Sequence, residues 1–182
     1  MRRILGLLLI AIVLSSCLTP PVIVNDVHMD NKTAYGSVAT AYYAIFSFLQ
    51  VQPFYSTKAG YGFKTVYAGF EKVTFDEAWS FGKQLEYSKG GFNRQTCFQA
   101  PCMVFSNGIV TLSEEDFLAA SSNGFAFELV GRSGKVVGKV GPQAFRNALK
   151  LKDKLGPDVN SLTAPSTASV VAGTPEKADE DL

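Results

Sequence analysis

Histidine is nearly absent from this chain of 182 residues, in which His28 is the only one. One histidine near the N terminus leaves little material for activating a nucleophile or for building a histidine-rich metal site. The Gly-x-Ser-x-Gly turn of serine hydrolases is also missing. Residues 60–62 (Gly-Tyr-Gly) lack the further spaced glycine and following helix of a phosphate-binding loop. The sequence therefore predicts neither an enzyme nor a bound cofactor.

A strong net charge of one sign is lacking as well. The formal charge is +1, and loss of Arg2 and Arg3 with a cleaved leader would bring it to about −1. Nucleic-acid binding needs a basic field, so we expect no nucleic-acid partner. Five acidic residues stand after residue 156, against one lysine, Lys177: Asp158, Glu176, Asp179, Glu180 and Asp181.

The longest apolar run is short, with eleven residues from Ile4 to Leu14. A membrane-spanning helix takes about 20 apolar residues, so this run does not predict one. Arg2 and Arg3 before it and small residues after it are typical of a cleaved secretory signal. The run ends in Leu14-Ser15-Ser16-Cys17, which resembles the lipobox of bacterial lipoproteins.

The resemblance implies that Cys17 carries a diacylglyceryl group and becomes the first residue of the mature protein. Two acyl chains suffice for stable anchoring in a lipid bilayer, since each buried methylene contributes about 0.8 kcal/mol. In an organism with two membranes, Leu18 in place of aspartate after the cysteine favours the outer membrane by the same resemblance. The alternative is an ordinary signal with a cysteine near the cut and a soluble secreted product.

Two further cysteines, Cys97 and Cys102, are separated by four residues. Export places them in an oxidising compartment, where we expect a structural disulfide. Closing so small a loop contributes about 2 kcal/mol in the chain-entropy model. A redox pair and half of a metal site are the alternatives, but thioredoxin-like motifs use two intervening residues and zinc needs more ligands.

The length of the chain predicts one folded domain, since 166 residues remain without the leader. We expect a signal peptide over residues 1–16, a lipidated N terminus and short tether over 17–24, a single domain over 25–156 and a disordered acidic tail over 157–182. The apolar residues 22–24 are also suited to a sheet. The domain is predicted to be α+β, a small, mainly antiparallel sheet with β-hairpins packed against three or four helices.

Capping residues and turn pairs place the elements of this domain. Thr74 and Glu77 have the spacing of a capping box, and Ser113 precedes three acidic residues suited to a first helical turn. Pro142 suits a first helical position, and Asn107-Gly108 favours a two-residue hairpin turn. The resulting elements are helices over 34–49, 75–88, 113–122 and from 142 to Leu155, a bent strand over 61–70, and hairpins over 103–112 and 125–140.

Asp26, His28 and Asp30 form the best metal-like pattern. In an extended segment the period of two puts the three side chains on one face. A polar strand edge or turn explains the same residues, because no second cluster of carboxylates or histidines supplies further ligands. We therefore predict no metal site.

The 22 aromatic residues could form a core or line a pocket. Tyr61, Phe63, Tyr67 and Trp79 are the candidates for a pocket that stacks a glycan or holds a hydrophobic molecule. Arg146, Lys150 and Lys154 recur at four-residue spacing on the last predicted helix. This basic stripe either faces anionic lipid or is a solvated outer face.

The predicted function is that of a membrane-anchored envelope lipoprotein without catalytic activity, an interaction or accessory component of a periplasmic or cell-surface assembly. It implies two partners, the bilayer through acylated Cys17 and a protein. The alternative is a ligand-binding lipoprotein with an aromatic-lined pocket. A deep pocket would favour the ligand, whereas a filled core with an exposed apolar patch would favour the protein partner.

Overall fold

The computed structural model describes residues 20–90, 94–96 and 103–155. In this part of the chain eleven strands form one sheet and two helices pack on it. The strands are β1 (Val22–Asp26), β2 (Asn31–Tyr35), β3 (Ala39–Ala44), β4 (Ser47–Ser56), β5 (Gly60–Gly69), β6 (Glu77–Ser80), β7 (Lys83–Lys89), β8 (Arg94–Thr96), β9 (Met103–Leu112), β10 (Phe125–Gly131) and β11 (Gly134–Val140). The helices are α1 (Glu114–Asn123) and α2 (Pro142–Lys152).

All strand pairs are antiparallel, in the order β1-β2-β4-β5-β9-β7-β6-β10-β11. Two further strands join at the side: β3 pairs with β4 next to β2, and β8 pairs with β9 next to β7. The sheet curls until β11 lies beside β3, where a Cβ at Gly138 would be 3.3 Å from the Cβ of Ala41. One face of the sheet thus encloses the core.

Aromatic rings fill this core. Phe63 on β5 lies 4.9 Å from Phe127 on β10, and Phe117 on α1 lies 5.1 Å from Phe145 on α2, measured between ring centroids. All four side chains are buried, together with aliphatic residues of the long strands. Burial of such rings removes a large apolar area from water, which stabilises the fold.

The sheet has two ends, which we name by the termini of β5. At the Gly60 end, Ser56 of β4 pairs with Gly60, and Leu112 of β9 pairs with Tyr61 just before α1 begins. At the Gly69 end, Ser47 of β4 pairs with Gly69, so the β3–β4 turn lies there. The β3–β4 turn and the start of α1 are therefore at opposite ends.

The predicted α+β architecture with three or four helices is wrong, because the described chain is mostly strand with two short helices. The helix predicted over residues 34–49 is instead β2, β3 and the start of β4. A shift of register between Thr40 and Tyr42 marks a β-bulge in β3. A bulge interrupts the alternation of side chains, which accounts for the unclear period of this segment.

The helix predicted over residues 75–88 is also wrong, since β6 and β7 form a hairpin there. The N–H of Asp76 donates to the carbonyl of Val130 at 2.7 Å, and Glu77 then pairs with the same residue as β6 begins. The Thr74 and Glu77 spacing therefore precedes a strand. Pairing with β10 outweighs the local helix signal.

The hairpin predicted over residues 103–112 is wrong too, because β9 runs straight through Asn107 and Gly108. Gly108 pairs with Thr65 on one side and Lys89 on the other. A Cβ at Gly108 would overlap the ring of Tyr87, so the glycine makes room for that ring. Its role is close packing and not a turn.

Four other predicted elements are confirmed. β5 covers residues 61–69 of the strand predicted over 61–70, and β10 and β11 form the predicted second hairpin. Ser113 caps α1 by accepting a hydrogen bond from the N–H of Asp116, and α2 begins at Pro142. Leu155 lies beyond the end of α2, and residues 22–24, predicted in the tether, belong to β1. The predicted signal peptide and tail lie outside the described residues.

Candidate functional site

The turn between β6 and β7 presents an unusual aromatic residue. Ser80 pairs with Lys83, which leaves Phe81 and Gly82 as a two-residue turn, and both have positive φ, 48° and 80°. Asparagine and glycine are the residues that such turns favour. A bulky residue in this left-handed region costs about 1–2 kcal/mol. The side chain of Phe81 is nevertheless 92% exposed, so burial does not offset that cost.

A cavity of about 770 Å³ lies beside this hairpin. Leu85 and Phe125 supply apolar lining, and α1 closes one side. Lys83 and Asp116 form an ion pair of 2.9 Å at the cavity. The hydrogen bond from Lys83, followed by that from Ser113, holds the pKa of the Asp116 carboxyl below its usual value. The carboxylate therefore stays charged near neutral pH and orients the lysine.

A second cavity, of about 370 Å³, lies on the other flank of the hairpin. Trp79 and Val137 line it, and Phe81 lines both cavities. The indole N–H of Trp79 donates to the Glu77 carboxylate at 2.8 Å, which fixes the orientation of the ring. We call Trp79, Phe81, Phe125, Val137 and the two cavities the hairpin surface.

A polar cluster joins β5 to both helices near the Gly60 end. The hydroxyl of Tyr61 donates to the Glu114 carboxylate at 2.5 Å and accepts a hydrogen bond from the ammonium of Lys152. The same ammonium lies 4.9 Å from the centroids of the Tyr55 and Tyr61 rings. Lys152 thus ties the end of α2 to the start of α1.

The charges of this cluster are fixed near neutral pH. Burial, then the bond to Glu114, raises the pKa of Tyr61, and the bond to Tyr61 raises the pKa of Lys152. The bond from Tyr61 lowers the pKa of Glu114. A general acid or base works best with a pKa near the operating pH, and these shifts run away from neutrality. The cluster therefore holds the helices in place.

The Tyr61→Phe variant is expected to lower the free energy of unfolding by about 1 kcal/mol at pH 7, the net value of one hydrogen bond. Because the pKa values of Tyr61 and Lys152 are raised, the folded state keeps protons on these groups at a pH where the unfolded state has lost them. The cluster's contribution to the free energy of unfolding is therefore complete below pH 10 and falls as the pH rises further. Urea unfolding between pH 8 and 11.5 measures this. The variant should lose less stability over that interval, and Tyr43→Phe, an exposed tyrosine, should behave as the wild type; equal slopes for Tyr61→Phe and wild type would contradict the prediction.

The structure does not bring the four predicted pocket aromatics together. Tyr61, Phe63 and Tyr67 are buried in the core, where Tyr67 packs edge-on against Phe75. Of the four, Trp79 lies on the hairpin surface, and Tyr67 lines a separate cavity of about 440 Å³ at the Gly69 end. Phe81 was not predicted as a site residue. The signal that the sequence offered is the Phe81-Gly82 pair between two strand segments.

The metal-like residues serve the β1–β2 turn. A carboxylate oxygen of Asp26 accepts hydrogen bonds of 3.1 Å from the backbone N–H groups of His28 and Met29. Asp30 follows with φ of 46°, which aspartate tolerates better than most residues. Over residues 20–90 and 103–155, no group of three or more histidine, cysteine, aspartate or glutamate residues is placed to hold a metal ion.

The basic stripe is partly engaged within the fold. Arg146 donates to the carbonyl of Ser121 on α1 at 3.4 Å and to the Gln143 side chain at 3.0 Å.

Cys17, Cys97 and Cys102 lie outside the described residues. The two helices in the described part are both too short to cross a bilayer.

Comparisons with protein-family models, with curated proteins and with solved structures find no match to this chain.

Proposed function

We propose that the protein is a membrane-anchored envelope lipoprotein without catalytic activity, which binds a protein partner through the hairpin surface. Cys17 would carry the lipid, as the lipobox resemblance implies. The observation that supports the interaction role is Phe81, a strained aromatic residue that the fold leaves exposed. Strained residues persist where function requires their position, and aromatic anchors dominate the energetics of protein interfaces.

The surroundings of Phe81 are suited to a protein–protein interface. Apolar side chains of Trp79, Phe125 and Val137 line the two cavities, and the charged Lys83–Asp116 pair lies at the larger one. Interfaces commonly have an apolar centre and a polar rim. The two flanking cavities can receive side chains of the partner, while Phe81 enters a pocket of the partner.

A ligand-binding lipoprotein is the second candidate. Trp79 and Phe81 both line the cavity of about 370 Å³, and two aromatic faces at one cavity suit the stacking of a sugar ring. The burial of Tyr61, Phe63 and Tyr67 removes three of the four predicted aromatic residues from such a pocket, which makes the protein partner the better-supported candidate.

A photoreactive amino acid at position 81 is expected to crosslink one protein in intact cells. The same residue at position 27, where Val27 is exposed on the β1–β2 turn, is the matched control. A competing copy of the protein with Phe81→Asn should fail to reduce the adduct, since loss of an aromatic anchor weakens binding by about 30-fold. A competing Val27→Ser copy should reduce it as well as the wild type does.

Phe81→Asn is also expected to raise the free energy of unfolding by about 1 kcal/mol, because asparagine tolerates positive φ. Chemical denaturation measures this change. If Phe81→Asn competes less well although it is more stable than the wild type, the weaker competition is a loss of binding and not of folding. An adduct that Phe81→Asn displaces as well as wild type does would remove the hairpin surface from the interface, and an adduct with a glycan would favour the second candidate.

The Cys17→Ser variant is expected to lose membrane association in cell fractionation, since both acyl chains would be absent. The double variant Cys97→Ser, Cys102→Ser keeps Cys17 and should remain with the membrane. Retention of Cys17→Ser at the membrane would refute the lipid anchor.

Titration of the exported protein's thiols with and without reductant tests the predicted disulfide between Cys97 and Cys102. Two freely reactive thiols would exclude this disulfide.

A further inference from the structure

The turn between β3 and β4 carries a second exposed apolar surface. Ala44 pairs with Ser47, so Ile45 and Phe46 form the two-residue tip of this hairpin. Their side chains are 84% and 66% exposed, and the neighbouring Tyr43 is exposed as well. The ring of Phe70 lies 5.6 Å from that of Phe46. We call Tyr43, Ile45, Phe46 and Phe70 the apolar tip.

The apolar tip and the hairpin surface lie at opposite ends of the sheet. Ser47, next to the tip, pairs with Gly69 of β5. On β7, Glu86 pairs with Thr111, and Thr111 pairs with Gly62 at the Gly60 end of β5. From Glu86 the chain runs backwards along β7 to Phe81, which therefore lies at the Gly60 end. A partner on the hairpin surface therefore does not cover the apolar tip.

The direction of β1 leads the N terminus towards the apolar tip. Val24 pairs with Thr33, which pairs with Ser56 near the Gly60 end. Val22 pairs with Tyr35, two residues further towards the Gly69 end. Followed backwards along the chain, β1 thus points at the end of the sheet where the tip lies.

When the strands stand along the membrane normal, the chain before β1 is too short to keep the Gly69 end away from the membrane that holds Cys17. Cys17 is five residues before Val22, and five residues span at most about 17 Å. Val22 pairs with Tyr35, and Tyr35 pairs with Phe54 of β4, so Val22 and Phe54 lie at the same height along the strands. Phe54 is seven residues from Ser47. Seven residues of strand extend about 24 Å, so in this orientation the sheet reaches at least about 7 Å beyond Cys17.

With an extended tether this overlap falls within the depth at which apolar groups enter a bilayer interface, about 5–10 Å. Isoleucine and phenylalanine suit the acyl boundary, and tyrosine suits the headgroup level. Glu71 and Lys72 follow Phe70, and their opposite charges cancel. The tip therefore carries no net charge there that would oppose contact with neutral lipid. The tip is the end of a hairpin with a cavity of about 440 Å³ beside it, and insertion into lipid needs no matching pocket in the bilayer.

We propose that the apolar tip inserts into the bilayer that holds Cys17, so that the sheet stands on the membrane with its Gly69 end in the lipid interface. This inference rests on the lipid anchor proposed above. The anchor supplies the attachment, and the tip fixes the orientation of the domain.

Tryptophan quenching by brominated lipid tests the proposal on the full acylated protein. Trp79 is the only tryptophan, so Trp79→Phe provides a background in which Phe46→Trp or Val27→Trp is the sole reporter. Each protein is reconstituted into phosphatidylcholine vesicles with or without brominated acyl chains. Both positions are exposed turns, and thermal unfolding confirms that each variant folds.

The expected result is at least about twofold quenching at position 46 and little quenching at position 27, since bromine quenches only at close range and the tip lies in the lipid interface. Protein that floats with the vesicles but shows no quenching at position 46 overturns the insertion and leaves the anchor intact. A blue-shifted spectrum at position 46 without quenching points to contact with a second protein copy and overturns it too. Equal quenching at both positions excludes the upright orientation. Protein that does not float with the vesicles refutes the anchor, and the insertion falls with it.

Discussion

Phe127→Ala is expected to lower the free energy of unfolding by about 3–5 kcal/mol, the range for removing a buried phenylalanine ring. The ring is buried, and its centroid lies 4.9 Å from that of Phe63. Curling of the sheet surrounds it from several sides, so collapse cannot fill the space. Urea unfolding should show a lower midpoint with an unchanged m value. Phe46→Ala, at an exposed position, should change stability by less than about 0.5 kcal/mol.

Gly138 makes this prediction sharper. Gly138 pairs with Phe127, and a Cβ on the glycine would be 2.7 Å from the ring. Gly138→Ala alone should therefore cost about 1–3 kcal/mol by overpacking. In the Phe127→Ala background the same methyl group enters vacant space, so the double variant should be more stable than the sum of single effects predicts. Strict additivity would show that the ring does not lie over Gly138.

Gly131→Ala is expected to cost roughly 3 kcal/mol, the upper end of the usual range for overpacking. A Cβ at this position would overlap the carbonyl oxygen of Thr74, a backbone atom that cannot rotate away. Moving that backbone would also strain the hydrogen bond from Asp76 to Val130, by which the chain enters β6. Thermal and urea unfolding both report the loss.

Gly141→Ser is the matched control for this substitution. Gly141 precedes α2 with φ of −70°, no atom lies within 4 Å of its added Cβ, and it makes no side-chain cap. Serine at this position can accept a hydrogen bond from a free N–H of the helix, so stability should rise by about a few tenths of a kcal/mol. A Gly131→Ala protein as stable as Gly141→Ser would place Thr74 further from Gly131 than the structure has it.

The parts of the fold that the sequence predicted are those that local chemistry decides. Ser113 caps α1 through its own side chain, and Pro142 lacks the N–H that a helix start leaves free. The β10–β11 hairpin joins neighbouring segments across a short turn. In each case the residues that carry the signal are the ones that make the contact.

The parts that were predicted wrongly depend on residues far along the chain. Gly108 follows asparagine as in a turn, but the ring that it accommodates belongs to Tyr87 on β7. Thr74 and Glu77 suit a helix start, but Val130, more than 50 residues later, draws this segment into the sheet. Two local signals thus gave helix and turn where distant pairing gives strand.

The candidate site follows the same division. Trp79 was predicted as a pocket residue and lies on the hairpin surface, whereas Phe63 from the same set is in the core. An aromatic residue in sequence does not reveal which side of a curled sheet it occupies. Phe81 becomes recognisable only through its positive φ and exposure, which are properties of the folded hairpin.

The ten-residue length of β4 and β5 has an electrostatic consequence. At about 3.4 Å per residue, these strands hold the two ends of the sheet about 30 Å apart. With the apolar tip in lipid, a partner at the hairpin surface would be more than three Debye lengths from the headgroups, since that length is about 8 Å at physiological salt. Lipid charge would be screened over this distance, so recruitment of the partner should not depend on which anionic lipids the membrane contains.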